Sequence, residues 1–475
     1  MSRSWLIVPL LLLYLWQLGA VGFLGPDEPR YASVGREMAR SGDWVTPRLD
    51  GQPWFEKPPL LYWTTAAAHR IASRIHLSDE WAARLPVVLV SVLFLWFFHT
   101  TLAREFSERV AMAATLILAT SAGWVAYSFA ALTDLLMSAA LGAAMLIAVS
   151  DTRPKRGWLA GALMGVSILA KGFVPVVLYA PLIVVTRGKV TSGKRLATVA
   201  GAVIVAAPWF VLCYVRNGSA FWSDFFWKQH IERVYSPTLE HVQPFWYYVP
   251  VLLAGLFPWT PLAGLLARRK IYGDVRVRLL AAWVVYGLVF FSASSNKLPG
   301  YLLPLMPALA VVLAIALDAC PRVEWWVAAC AALLVALPTV ARVLPAALLS
   351  GIRKTDLSFA PTGLLLVPLA GAVLWLAYKG KAELAVAATA LAAGLGIVYL
   401  KNSTFPALEQ SVSVRGFWRA NRDALTGACL DNMSRTWQYG LNYYAGSAVP
   451  QCGPAQAGRN RIGIRDGRLV VGIEK

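Results

Sequence analysis

The chain has 475 residues, is 58% hydrophobic and 15% charged, contains 20 tryptophans and carries a formal net charge of +19. So low a charged content, combined with many apolar runs of about 20 residues, excludes a soluble globular protein and indicates a polytopic membrane protein. The excess of Lys and Arg fits cytoplasmic loops or an anionic lipid ligand, and no soluble basic domain is present to hold nucleic acid.

In chain order the apolar runs predict spans at approximately 5–24, 84–103, 110–128, 132–150, 158–170, 173–186, 196–215, 246–267, 279–295, 301–317, 325–344, 362–379 and 384–400, thirteen in all. No small-residue cleavage site follows the first run, so it reads as a span and not as a secretory signal. The Lys- and Arg-dense connections DTRPKRG, RGKVTSGKR, RRKIYGDVRVR and KGKAE then lie on the cytoplasmic side. The loops 25–83, 216–245 and 296–300 fall outside, together with residues 401–475. The expected organisation is an all-α membrane domain over 1–400, with a small external domain over 401–475.

The first external loop carries two predicted amphipathic helices at the membrane surface. Residues 28–41 form the first, with Asp27 able to cap it, Gly42 able to stop it, and Tyr31, Val34 and Met38 on one face away from Arg30. Residues 60–75 form the second, with Leu60, Trp63, Thr64, Ala67 and Ile71 along its apolar side. Between them, Glu56-Lys57-Pro58-Pro59 is stiffened by proline. On such a segment Glu56 and Lys57 point opposite ways, one toward a cation and one toward a phosphate. The plain alternative is a solvated ion pair worth little.

Asp27 and Glu28 follow the first span, where capping alone explains either. Asp134 interrupts one of the most apolar stretches, and an ionisable group there is a functional candidate by default. His230 and His241 lie in an aromatic external segment with Arg233, at a spacing that is not a zinc pattern. Lys297 stands at a membrane boundary before Pro299-Gly300 and Tyr301, where snorkelling competes with anion binding. Cys213, Cys320 and Cys330 read as core residues, while Cys429 and Cys452 are candidates for an external disulfide.

The segments "DEPRY", "GDWVTPRLDGQPWFEKPPLLYW", "LTD", "LAKG", "QHIERV…QPFWYY" and "KLPGYLLPLMP" occur in the order seen in GT-C superfamily sugar transferases that use polyprenyl-phosphate donors. The chain most resembles the aminoarabinose transferase family acting on lipid A and, more distantly, the protein O-mannosyltransferases. The resemblance covers most of residues 1–310. It implies a bacterial inner-membrane enzyme, monomeric, with its site facing the periplasm. The implied donor is a sugar on undecaprenyl phosphate, and the implied acceptor is lipid A. Asp27, Glu28 and Asp134 are the implied catalytic acids. Arg30, Lys57, Arg233 and Lys297 are implied to hold the donor phosphate, and Tyr62 and Tyr301 to line the donor cavity. Glu56, Asp134 and His230 match positions near a metal site, which suits a divalent Zn, Mg or Mn ion. Two alternatives stand beside this reading: transfer to another glycan or to a protein, and flipping of a lipid-linked sugar without chemistry. A flippase is expected to show discontinuous helices in two matching halves, and the sequence shows no such repeat.

Overall fold

The computed structural model describes residues 6–150, 154–185, 192–232, 243–453, 460–465 and 468–473. The first apolar run is helical only over Ile7–Leu15 (α1), far short of the expected 5–24. Beyond it the backbone is irregular through residue 24, and its polar groups are satisfied by side chains from distant parts of the chain. Lys401 Nζ donates to the carbonyls of Trp16 (2.9 Å), Tyr14 (3.3 Å) and Leu13 (3.4 Å), closing the C-terminal end of α1 with a cation. Arg84 donates to the carbonyls of Leu18, Val21 and Gly22 at 2.7–3.0 Å. Arg415 donates to those of Gly19 and Ala20. Non-helical backbone at membrane depth is tolerated only when buried and satisfied in this way.

The two amphipathic helices form as expected over Asp27–Ser41 (α2) and Leu60–Ala72 (α3). Gly42, at φ 72°, ends α2 with its N–H on the Met38 carbonyl. Asp27 does not cap: Pro26 occupies the cap position, and the Asp27 carboxylate turns to Arg30 instead. Arg30, expected on the wet side, is buried beside Tyr31, Val34 and Met38. On α3 the side expected to be apolar turns away from the protein, as suits a helix lying on the bilayer surface. Leu61, Tyr62, Thr65, Ala66 and His69 are buried, while Ile71 is 61% exposed. The reason lies in α2, where a Cβ at Gly35 would come within 2.7 Å of Thr65. The helices touch through small and polar residues, and the more apolar side is left for lipid. Between them, Arg48–Leu49 (β1) and Gln52–Pro53 (β2) form a hairpin around Asp50-Gly51, both at positive φ as a tight primed turn requires.

Asp79–Glu105 (α4) starts from a Ser78 cap and is followed by Glu108–Thr120 (α5) and Ala122–Ser128 (α6), which meet at a 63° bend. Ser121 Oγ donates back to the Ile117 carbonyl, and the freed Ala122 N–H donates to the Phe257 carbonyl at 2.9 Å. That acceptor lies in a second break, between Phe245–Gly255 and Thr260–Ala267, bent by 117°. Thr133–Ser150 (α7), Pro154–Lys171 (α8), Val174–Val185 (α9) and Ser192–Phe221 (α10) follow. Gly157, Gly161 and Gly165 bring α8 against α10: a Cβ at Gly161 would sit 2.2 Å from the Thr198 carbonyl oxygen. This is the small-residue spacing that lets membrane helices approach backbone to backbone.

Among the described residues seven helices are long and apolar enough to span, or nine if each bent pair counts as one. The last, Ala382–Ser411, runs past residue 400. The C-terminal segment beyond it has its own small core of Val414, Leu425, Leu430, Leu441 and Ile462. It also contains a small sheet. Cys429–Leu430 (β3) pairs in parallel with Asn460–Arg465 (β4), which pairs antiparallel with Arg468–Ile473 (β5). Cys429 and Cys452 are joined by a disulfide with a Cα–Cα distance of 4.9 Å.

Glu28 and Arg84 form the buried pair at the centre of this arrangement. Arg84 meets Glu28 through Nε (2.7 Å) and Nη2 (2.8 Å), and Glu28 also accepts from the N–H groups of Leu24 and Ala131. Arg84→Ala leaves the buried Glu28 charge without its cation and three carbonyls without their donor. The expected loss is about 3–5 kcal/mol of stability, read as a lowered unfolding temperature of the detergent-purified protein.

Candidate active site

Two clusters of ionisable groups lie beside the start of α2. The first is built by α2 and by the segment that follows the hairpin. Arg30 Nη2 meets Asp27 Oδ1 at 2.5 Å, and Nη1 meets Glu56 Oε2 at 2.9 Å. Lys57 Nζ stands 3.3 Å from Glu56 Oε1. The Glu56 and Lys57 side chains are each 13% exposed, whereas Asp27 is 43% exposed, the one carboxylate of the cluster open to an incoming molecule. Burial works against the charge on Arg30, but Glu56, Tyr31 and Asp27 outweigh it and hold the guanidinium protonated. Burial, reinforced by the Glu56 charge, likewise pushes the Tyr62 phenol up, so it remains a donor. Arg30 Nε, Trp54 Nε1 and Tyr62 OH are buried with no hydrogen-bond partner among the described residues. Two such donors beside the guanidinium, whose own Nε is likewise without a partner, suit an oxygen-rich anion.

The second cluster sits where α7 begins and α8 ends. Lys171 Nζ pairs with Asp134 Oδ1, and the same ammonium lies 5.1 Å from the centroid of the Tyr301 ring. Gly300 permits this closeness, since a Cβ there would fall 2.6 Å from the Tyr127 hydroxyl and 2.7 Å from the Asp134 carboxylate. Lys171 carries no role in the sequence reading, although a lysine between two apolar runs, in "LAKG", was the available signal.

Some expected site residues are placed differently. Glu28 belongs to the scaffold, both of its oxygens being taken by Arg84 and backbone N–H groups. Lys297 is buried with its ammonium on the carbonyls of Ser294 and Gln243, where it closes a helix end. Arg233 and the His230 side chain lie outside the described residues. The metal expectation does not fit the carboxylates present: Glu56 is held by Arg30 and Lys57, and Asp134 by Lys171. Among the described residues no three His, Cys, Asp or Glu side chains are grouped to hold an ion.

Comparison with known proteins bears on the fold and on the relatives of the sequence. The model of the dolichyl-phosphate-mannose-protein mannosyltransferase family matches residues 56–212, beginning at Glu56. The structure of ArnT from Cupriavidus metallidurans bound to undecaprenyl phosphate superimposes with a TM-score of 0.76, covering 99% of this chain and 98% of that one at 23% identity. The chain has the GT-C fold. An archaeal oligosaccharyltransferase, AglB from Archaeoglobus fulgidus, shares the fold more distantly, at a TM-score of 0.52 over 96% of this chain and 65% of its own. In sequence the chain is a relative of the undecaprenyl phosphate-alpha-4-amino-4-deoxy-L-arabinose arabinosyl transferases. It is 33% identical to that of Aeromonas salmonicida over 323 residues, 64% of this chain and 58% of that protein. It is 32% identical to that of Serratia proteamaculans over 338 residues, 67% and 60% respectively. The match thus spans less than two thirds of the length of these relatives.

The contact of Gly300 with Tyr127 and Asp134 gives a direct test of this second cluster. Gly300→Ala forces the Asp134–Lys171 pair apart, at a cost typical of overpacking, about 1–3 kcal/mol. The expected outcome is a lower unfolding temperature together with faster acylation of Lys171, followed by mass spectrometry.

Proposed function

We propose that the chain is an integral-membrane glycosyltransferase that takes a sugar from undecaprenyl phosphate, or another polyprenyl phosphate, and gives it to an acceptor at the periplasmic face. The sugar proposed is 4-amino-4-deoxy-L-arabinose and the acceptor lipid A. The observation that carries the reading is the Asp27–Arg30–Glu56–Lys57 cluster with its unsatisfied donors, on a fold shared with a structure that binds undecaprenyl phosphate. The names of the sequence relatives supply the sugar. The thirteen-span topology belongs to this proposal, as do an inner-membrane location and a periplasmic domain over 401–475.

In this reading the donor phosphodiester takes the Lys57 ammonium, while Arg30 keeps the Glu56 carboxylate in place. Cleavage of the bond between the sugar and the phosphate oxygen leaves a second negative charge on the departing polyprenyl phosphate. Lys57, with the Tyr62 hydroxyl and Trp54 Nε1, stabilises that charge where water is scarce. An acceptor phosphate of lipid A is already anionic and needs no base, and Asp27 then orients the sugar. With a hydroxyl acceptor, Asp27 takes the proton. An apolar cavity of about 650 Å³ lies between α8, α9 and α10, with Phe173 and Phe226 in its lining and Lys194 and Arg195 near the start of α10. Phe173 follows two residues after Lys171, so the cavity offers a route for the prenyl chain away from the charged clusters.

The test is turnover of polyprenyl-phosphate sugar by the purified protein with lipid A. Release of free polyprenyl phosphate and a heavier lipid A support the proposal, whereas movement of uncleaved donor between leaflets means a flippase. Lys57→Ala should slow transfer at least about a hundredfold. Were Lys57 only a surface partner of Glu56, its loss would cost under about 1 kcal/mol and leave the kinetics unchanged. Asp27→Asn should abolish turnover and leave the unfolding temperature near that of the unmodified protein, since Asp27 caps nothing.

A further inference from the structure

The loop closed by the Cys429–Cys452 disulfide contains the helix Arg435–Ala445, which packs on α2. Tyr439, Asn442 and Tyr443, three and four positions apart, share the face turned toward the first loop. Asn442 Nδ2 donates to Asp50 Oδ2 at 2.9 Å. Arg36 donates to the Tyr443 carbonyl at 2.8 Å and lies over the Tyr443 ring. Tyr439 reaches further, into the candidate site. Its ring centroid is 5.4 Å from Arg30 Cζ, and it packs against the membrane-domain core and not with the small C-terminal core. Tyr31 and Trp54 cover the guanidinium at 5.1 and 5.5 Å. Two of the three rings around Arg30 therefore come from the first loop, and the third comes from the far end of the chain.

We infer that Tyr439 is a positioning residue of the candidate site: its ring completes an aromatic cage that keeps the Arg30 guanidinium dry and fixed between Asp27 and Glu56. The kinetic consequence rests on the proposed transferase reading; the cage itself does not. A cation is held more strongly by a ring face when it is desolvated. The guanidinium that orders Asp27 and Glu56 then depends on a ring carried by the disulfide-closed segment. Because attraction to a ring face needs no hydroxyl, phenylalanine serves in place of tyrosine. Leucine fills much of the space but offers no face.

The experiment uses the full chain in lipid nanodiscs, unmodified and as Tyr439→Phe, Tyr439→Leu and Tyr439→Ala. Two quantities are read: the rate at which phenylglyoxal modifies Arg30, located by mass spectrometry, and kcat and KM for sugar transfer. Unfolding temperatures identify any variant that fails to fold, and Tyr439→Leu then carries the comparison. Tyr439→Leu and Tyr439→Ala should expose Arg30 to modification several-fold faster. They should lower kcat by about tenfold, within the range of a desolvated cation–π contact. KM should stay within about twofold, as expected for a residue that orders the site without binding donor. Tyr439→Phe should match the unmodified chain in both readings. Unchanged modification of Arg30 in Tyr439→Leu and Tyr439→Ala overturns the inference, as does Tyr439→Phe behaving like Tyr439→Ala. If the unmodified chain transfers no sugar, the proposed function fails, and the labelling of Arg30 still decides the cage.

Discussion

Buried guanidinium groups hold together the part of the chain on which the site depends. Residues 16–24 run as irregular backbone whose carbonyls are met by side chains from distant parts of the chain. Arg84 from α4 and Arg415 from the C-terminal segment supply the missing donors, and Glu28, Glu80 and Glu409 neutralise them. A planar cation with five N–H groups suits this task, because it meets several carbonyls and a carboxylate at once. The cost of burying each charge is offset only because every partner is in place. The same bonds fix where α2 begins, and so where Asp27 and Arg30 stand. Tyr444 links the two arginine centres, donating to Glu80 and accepting from the Phe23 N–H.

The site follows a related rule with a different outcome. Asp27, Glu56 and Asp134 are each paired with a cation of the protein, which leaves the clusters close to neutral. An anionic donor then competes with carboxylates for cations already held in position. On the proposed reading, such competition keeps binding modest in the ground state and rewards the extra charge that appears on the leaving phosphate. It also explains why ammonium and guanidinium stand where a metal was expected. A divalent ion between Glu56 and Asp134 would have to displace Arg30, Lys57 and Lys171.

Much of the local organisation was legible in the sequence. The helix 28–41 was recognisable from its apolar spacing and its Gly42 stop, and Asp134 stood out as a charge in an apolar run. Glu56 and Lys57 were marked by the prolines that follow them. What escaped depends on long-range partners. Nothing near Glu28 reveals that Arg84, 56 residues on, will claim it, and so a scaffold carboxylate read as a catalytic one. Hydropathy registers the apolar residues of α1 but not the point at which Lys401 closes it. The breaks at Ser121 and near Phe257 sit inside continuous apolar runs, because each frees backbone groups that the other satisfies.

The central claim is that the donor phosphate docks at the Arg30–Lys57 cluster, with the prenyl chain running from there into the apolar cavity. Lys194 and Arg195 offer the competing anion site elsewhere in the lining of that cavity. A polyprenyl phosphate bearing a photoreactive group beside its phosphate distinguishes the two places. After irradiation in nanodiscs and peptide mapping, the account predicts cross-links to residues 27–57 and to the segment around Lys171. Cross-links confined to residues 192–199, with none near Lys57, would contradict it.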